Sequence, residues 1–301
     1  MWILTDIING VRSSELYRRT MELVPPTVKP AIRRIAYEVT NLLQYGQRDM
    51  FLSVAIETTS VCNRRCSFCP NHSDELRGRR PQKEMDEGIY RKIIDDLKLM
   101  HFTGTVSLQH YGEPLLDSHL EERIRYAHSK LPEAHIMFKS NGDYLTPERF
   151  QSLVASGVDE IFVTNYAGKR KESAAITALK KYLVSHPEME RYITIRNGIS
   201  TLSNRGGLVE VDDAHKRIVQ GCIQESYSLN IDVDGNAVMC SNDYLGQHQF
   251  GNVKRRSISS IWNSLQFREV RERHKSGVFQ EEMCQRCTLV RHINFVLNRK
   301  N

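Results

Sequence analysis

Between Phe51 and Asn197 the spacing of hydrophobic positions switches repeatedly between a period near two and a period near 3.6. Phe51–Thr58, Gly104–His110, His135–Ser140, Glu160–Tyr166 and Arg191–Asn197 read as strands, and Glu84–Met100, Leu116–Leu131, Thr146–Ala155 and Glu172–Ser185 read as helices. Thr146 suits an N-cap, with Glu148 in the first turn behind it. Repeated strand–helix units predict a parallel sheet with helices outside it. Five or six units predict an α/β fold of the partial (β/α)6 barrel type rather than a closed eight-stranded barrel, with the site at the C-terminal strand ends.

The flanks follow other patterns. Residues 1–50 read as a helical extension broken at Pro25-Pro26, with a second helix from Pro30 to Gly46. Ile32, Ile35, Ala36, Val39, Leu42 and Leu43 share one face of it, which predicts packing on the main domain; membrane-surface binding is the less favoured reading. After about residue 205, Leu229–Val233 and Ala237–Cys240 around Asp234-Gly235-Asn236 read as a β-hairpin. Ser257–Glu272 reads as a helix, and Gln280–Leu297 holds the last two cysteines. The division expected is an extension over 1–50, a barrel over 51–205 and a smaller module over 206–301.

Composition narrows the classes. The 301 residues, 40% of them hydrophobic, suffice for one large domain with appendages. The net charge of +6 is spread over short basic runs with no dominant block, which argues against nucleic acid as a partner. No apolar run is long enough to span a bilayer, and no secretory signal is evident. Seven cysteines, an odd number, fit a disulfide framework poorly and read as reduced thiols in a cytoplasm.

Cys62, Cys66 and Cys69 lie on one short loop after the first strand, with Phe68 before the last. Three thiolates can hold three irons of a 4Fe–4S cube and leave the fourth iron open; with His72 they could instead form a tetrahedral zinc site. The second strand ends in Tyr111-Gly112-Glu113-Pro114, and the third in Lys139-Ser140-Asn141-Gly142. In order and kind these segments resemble the signature of the radical S-adenosylmethionine (SAM) enzymes. The resemblance implies a SAM-binding cluster on the three cysteines and reductive cleavage of SAM to a 5′-deoxyadenosyl radical. It further implies SAM contacts from Phe68, Gly112, Glu113, Ser140 and Asn141, and an electron donor such as flavodoxin or ferredoxin. Tyr111 stands where the family's motif has its first glycine.

Cys222, Cys240, Cys284 and Cys287 remain. Their spacing, with Gly251-Asn252-Val253 and Ile261-Trp262, resembles the Twitch/SPASM-type auxiliary cluster domain of the same family. Four thiolates saturate a 4Fe–4S cube, suited to moving electrons, although they could also hold structural zinc. Three plus four uses all seven cysteines, so no thiol remains to return a hydrogen atom to a substrate radical. That favours oxidation of a small polar substrate, an aminocyclitol or sugar alcohol, with the auxiliary cluster accepting an electron. Peptide maturation, a redox-neutral epimerisation or dehydration, and a zinc-binding scaffold are the alternatives. An alcohol oxidation also needs a base, for which Arg196, Tyr166 and Asp243 are candidates beside Asn165 and Asn242.

Overall fold

The computed structural model describes residue 24 and residues 28–166, 172–198, 203–211 and 221–287. In chain order these form α1 (Lys29–Tyr45), β1 (Ser53–Ile56), α2 (Asp74–Gly78), α3 (Glu87–Leu99), β2 (Thr105–Ser107), α4 (Leu120–Lys130), β3 (His135–Ser140), α5 (Pro147–Ala155) and β4 (Glu160–Asn165). Then come α6 (Ala174–Ser185), β5 (Ile193–Asn197), α7 (Gln224–Tyr227), β6 (Ser228–Ile231), β7 (Asn236–Val238), β8 (Gln249–Asn252), α8 (Ile258–Trp262), α9 (Leu265–Lys275) and α10 (Glu282–Arg286). Expectations for residues 1–23 and 288–297 lie outside the described residues.

One sheet runs through the molecule in the order β5-β4-β3-β2-β1-β6-β7-β8. The pairs from β5 to β1, and β1 with β6, are parallel; β7 and β8 are antiparallel additions. The register sets Val54 beside Val106 and Val106 beside Ile136, on the face that joins Ile93, Leu97, Ile124 and Phe150 of the helices in one buried core. The alternate positions, Ser53, Ala55, Ser107, Lys139 and Thr164, line a cavity on the concave face. The strand period thus builds an apolar outside for the helices and a polar lumen for a ligand.

The sequence pattern places β6 in a C-terminal hairpin, and that hairpin exists: Asp232 Oδ1 accepts the Asp234 and Asn236 amides (2.9 and 2.8 Å), and Gly235 takes φ +86°. β6 is also the sixth parallel strand. It pairs with β1 from Ser53–Ser228 to Ile56–Ile231, and all four of its residues are buried. A strand buried on both faces carries no alternation to reveal its second neighbour.

Helix starts follow local chemistry. Asp86, Thr146 and Ser173 cap α3, α5 and α6 by accepting the amides of Ile89, Arg149 and Ile176 (each 3.2 Å). α3 begins later than its periodicity suggests because Lys83–Met85 is clamped to the segment leaving β1, through Ser60 N to Lys83 O (3.0 Å) and Met85 N to Thr58 O (2.8 Å).

α1 corrects an expectation. It packs through Tyr37, Thr40 and Asn41, while Ile35, Val39 and Leu42 of the apolar stripe are exposed. The Tyr37 hydroxyl decides the rotation: it donates to the Met50 carbonyl (2.9 Å), with the Ser226 carbonyl oxygen at 3.0 Å. Gln44 adds a bond to Thr103 Oγ1 (2.8 Å). Buried polar groups need such partners, so a helix with a deep tyrosine anchor turns to satisfy them.

Arg123 of α4 fixes the exit of β1. Only 1% exposed, it donates to Asp117 Oδ2 (2.8 Å) and the Thr58 carbonyl (2.9 Å), and it also bonds the Met85 carbonyl. Thr58 lies four residues before Cys62. Removing one partner of a buried ion pair costs about 3–5 kcal/mol. Arg123→Ala is therefore expected to lower stability by about that amount and to cut iron loading at the Cys62 loop. Anaerobic denaturation with iron analysis checks this, and an unchanged midpoint would refute it.

Candidate functional site: two cysteine sets around a polar cavity

The Cys62–Cys69 loop leaves the C-terminal end of β1 with its backbone pinned on both sides. Cys69 N bonds Cys66 O and His72 N bonds Cys69 O (both 2.9 Å), closing the loop into a single 3₁₀ turn over Pro70–His72. The turn that follows β2 lies directly against it. Glu113 N donates to Val61 O (2.8 Å), and a Cβ added at Gly112 would fall 1.9 Å from the Thr59 carbonyl oxygen. Only glycine permits this approach.

Glu113 is 3% exposed and is held by three donors: Ser140 Oγ to Oε1 (2.6 Å), Asn141 N to Oε2 (2.9 Å) and Leu115 N to Oε1 (3.2 Å). Desolvation raises its carboxyl above the usual range, partly offset by these donors. Ser140 Oγ also accepts Gly142 N (2.9 Å). Asn141 donates from Nδ2 to Asn63 Oδ1 and accepts Asp143 N (both 2.9 Å). Asp143 in turn ion-pairs with Arg64. The end of β3 thereby holds both Glu113 and the cysteine loop.

Tyr111 joins this turn to the C-terminal module. Its hydroxyl donates to the carbonyl of Ser241, next to Cys240 (2.5 Å). Its ring lies edge-on to Tyr244 (centroids 4.6 Å) and under Arg80 (5.4 Å). Asn71 donates to Tyr111 O (2.9 Å) and accepts from Tyr244 Oη (2.7 Å). Beneath them the buried Glu57 pairs with Arg80 (2.5 Å) and accepts the amides of Tyr111 (3.3 Å) and Val233 (3.2 Å).

In the second set, Cys222 Sγ accepts Gln224 N (3.5 Å) and Cys240 Sγ accepts Asn242 N (3.4 Å). Asn242 Nδ2 donates to Cys287 Sγ (3.4 Å). Burial is the first cause that raises Cys62, Cys66, Cys69, Cys222, Cys240 and Cys284, Cys66 to about 11, and neighbouring thiols add to it at all of these but Cys69. Crowded thiols with N–H groups aimed at them suit a bound cation that would stabilise the thiolates.

The sulfur spacing distinguishes the cations. Tetrahedral zinc, with Zn–S of about 2.3 Å, needs sulfurs about 3.8 Å apart. Among the described residues, no three of these seven sulfurs lie within 4.8 Å of one another. Each set is therefore spread more widely than a single tetrahedral zinc would hold it. His72 is exposed, with Nδ1 3.2 Å from the Arg65 carbonyl oxygen.

The cavity between the two sets has a volume of about 390 Å³ and is walled by Cys62, Cys66, Cys69 and Ser241 together with the concave strand positions. That falls within the range of about 300–1,000 Å³ for small-molecule sites. His110 lines it with both ring nitrogens unpartnered; burial, then Arg80 and Arg205, hold its imidazole down to about 3.

Comparison with known proteins explains this arrangement. Residues 56–187 match the radical SAM superfamily, and residues 222–288 match the SPASM iron–sulfur cluster-binding domain. The chain belongs to the radical SAM superfamily. It is 28% identical over 242 residues to an S-adenosyl-L-methionine-dependent 2-deoxy-scyllo-inosamine dehydrogenase of Niallia circulans, covering 80% of this chain and 94% of that one. A crystal structure of BtrN in complex with AdoMet and 2-DOIA superposes with a TM-score of 0.72 at 29% identity, over 80% of this chain and 94% of that chain. A tungsten-containing aldehyde ferredoxin oxidoreductase cofactor-modifying protein of Pyrococcus furiosus is 26% identical over 194 residues, 62% of this chain and 50% of that protein. No described helix is long and apolar enough to cross a membrane.

The residues singled out in the sequence are distributed unevenly. Phe68, Gly112, Glu113, Ser140, Asn141 and Tyr166 all line the cavity, with the Phe68 and Tyr166 rings 5.0 Å apart. Arg196 shares the concave face but is exposed at the edge strand, over the Phe162 ring (4.8 Å), and is not part of the cavity wall. Asp243 is 2% exposed and accepts the amides of Gln247 and His248 (2.9 and 3.0 Å); it shapes the loop after Cys240 outside the cavity wall. Asn165 bonds Asn197 Oδ1 (3.1 Å). Sequence reasoning missed His110, Lys139 and Arg205. Lys139 alternates with the apolar Ile136 and Phe138, a signal that was available; Arg205 lies in an irregular Arg-Gly-Gly turn that carries no periodicity.

Two outcomes follow from this geometry. Gly112→Ala must push the cysteine loop from the β2 turn, and a misplacement near 1 Å can cost about 100-fold. SAM cleavage by G112A is expected to fall by at least about that factor, measured as 5′-deoxyadenosine; a loss below about tenfold would refute the close-approach argument. His110 titrates near 6.5 in the unfolded chain and near 3 when folded, so the unfolded chain takes up the proton first. Stability present above pH 6.5 is lost as pH falls toward 3, by up to about 1.4 kcal/mol per unit. Between pH 7.5 and 5.5 the wild type should lose stability relative to His110→Asn, and parallel pH profiles would refute this.

Proposed function

We propose that the protein is a radical SAM dehydrogenase of a small polar alcohol, with a 4Fe–4S cluster in each cysteine set. The seven-thiol inventory carries the reading: three thiols wall the cavity on one side, Cys240 and its partners stand behind Ser241, and no eighth cysteine exists to return a hydrogen atom. Cys62, Cys66 and Cys69 would hold a cluster that supplies the electron for reductive cleavage of SAM at its adenosyl carbon, and Cys222, Cys240, Cys284 and Cys287 one that would accept the electron released by the substrate. The substrate carbinol gives its C–H hydrogen atom to the adenosyl carbon. Loss of the O–H proton and one electron then leaves a carbonyl.

The chain's own groups do the positioning. Glu113 presents a buried carboxylate suited to the SAM ammonium, while Ser140 and Asn141 keep it in place. Phe68 and Tyr166 form an aromatic wall for adenine. Burial raises the Tyr166 phenol, so at neutral pH it donates a hydrogen bond rather than accepting a proton. His110 stays neutral and offers an acceptor nitrogen to the substrate hydroxyl. A carbinol radical is far more acidic than its parent alcohol, so a weak base suffices at that stage. The likeness to the Niallia circulans dehydrogenase over 94% of its length supports oxidation as the outcome.

Anaerobic reconstitution tests this. About eight irons are expected in the wild type and about four when Cys62, Cys66 and Cys69 are replaced by Ala, with 5′-deoxyadenosine formation abolished. Replacing Cys222, Cys240, Cys284 and Cys287 should keep SAM cleavage but stop product formation. A deuterated carbinol substrate should pass one deuterium to 5′-deoxyadenosine and leave as the carbonyl. Colourless protein with one zinc per cysteine set, or turnover to a redox-neutral product, would overturn the reading.

A further inference from the structure

The charge on the cavity wall is one-sided. Lys139 and Arg205 both line it, and among the described residues neither side chain makes a hydrogen bond or ion pair. Arg205 Nε is buried with no partner. The third cation, Arg64, is neutralised by Asp143. The wall carries one carboxylate, Glu113, and that carboxylate is already tied to Ser140, Asn141 and Leu115. Glu160, the next acid near Lys139, is engaged by His135 Nε2 (3.4 Å) and Thr194 Oγ1 (3.2 Å).

Both cations are held deliberately. Lys139 is exposed and lines the cavity, and desolvation, then Arg205, depress its ammonium below the ordinary lysine range. Arg205 has φ +50°, a left-handed conformation that non-glycine residues adopt at a cost of about 1–2 kcal/mol. The turn around it is clamped to the C-terminal module: Asn204 Nδ2 donates to Arg286 O (2.6 Å), and Gly206, at φ +67°, lies against Met283. Apart from the Tyr111 ring at 6.0 Å, the Arg205 guanidinium has no partner among the described residues, and a strained backbone that delivers such a group into a ligand cavity is a feature of sites rather than of scaffolds. Two cations set on one wall without a counter-charge repel one another, and an anionic ligand between them removes that cost.

We propose that the substrate carries an anionic group, a carboxylate or a phosphate, bound between Lys139 and Arg205, so that the enzyme acts on an acidic or phosphorylated polyol. This rests on the dehydrogenase reading above and gives it a substrate class. It differs from the amine in the substrate name of the Niallia circulans relative: an ammonium here would meet two like charges and no free carboxylate. Arginine offers a planar fork for carboxylate or phosphate oxygens and lysine a point charge beside it.

The test uses anaerobically reconstituted protein with SAM present and four probes: myo-inositol, 2-deoxy-scyllo-inosamine, myo-inositol 1-phosphate and D-glucuronate. Calorimetry should show at least one of the two anions binding about tenfold or more tightly than the neutral and amino probes, with the preference weakening as salt rises. Which anion wins distinguishes phosphate from carboxylate. Lys139→Met and Arg205→Gln should each lower the anion-to-neutral affinity ratio by about tenfold, and Lys139→Arg should restore most of it. Iron content and circular dichroism establish that each variant is folded.

Tightest binding of the amine, binding of neither anion, or ratios unmoved in both variants would overturn the proposal. So would an equal fall in SAM affinity in the variants, since the cations would then serve the SAM carboxylate. Absence of 5′-deoxyadenosine under reduction would instead defeat the radical reading and leave the binding comparison intact.

Discussion

The contact between the Gly112 turn and the Thr59 carbonyl is the constraint on which the site depends. A Cβ there would stand 1.9 Å from that oxygen, so the two loops can touch only through glycine. The touch lets Glu113 N reach Val61 O and places the Glu113 carboxylate one hydrogen bond from the end of β3. Three strand ends, β1, β2 and β3, are thus locked into one polar cluster. The apolar packing lies on the other face of the sheet, where Val54, Val106 and Ile136 meet the helices. Core and site use opposite faces of the same strands, which lets the site remain polar without loss of stability.

This geometry changes the meaning of several residues. Gly112, read first as a backbone contact for SAM, is required by the approach of the cysteine loop whether or not SAM is bound. Ser140 and Asn141, read first as SAM contacts, have their side chains committed to Glu113, Gly142, Asn63 and Asp143. A hydroxyl with a donor and an acceptor already in place gains little by turning to a ligand. What these two side chains hold in place is Glu113 and the cysteine loop.

The barrel was legible because its helices and most of its strands carry regular periods, and the cysteines because their spacing is local. Three things were not. β6 is buried on both faces, so its pairing with β1 left no alternation to read. The orientation of α1 is set by one hydroxyl reaching Met50 and Ser226, a long-range bond that outweighs the stripe of Ile35, Val39 and Leu42. Among the basic residues, the base candidate Arg196 shares the concave face, but β5 is the edge strand and the cavity closes before reaching it. The cation that does reach the cavity, Arg205, comes from a turn whose conformation depends on Gly206, Gly207 and the C-terminal module. Charged groups of active sites are often carried by such loops, where sequence period is silent.

Tyr111 shows why the two modules belong to one machine. In place of a glycine it puts a large ring at the turn that meets the cysteine loop, and its hydroxyl bonds the residue beside Cys240. Arg80 bridges the same ring to Glu57, which also accepts the amide of Val233 beyond β6. The SAM-motif turn, the first cysteine loop and the hairpin leading to the second set therefore share one buried network. Displacing any member moves both cysteine sets relative to the cavity between them. The oxidation proposed above, starting at one set and ending at the other, would need that separation fixed, and a ring held by a hydrogen bond, a cation and an edge-on tyrosine fixes it better than a flexible glycine would.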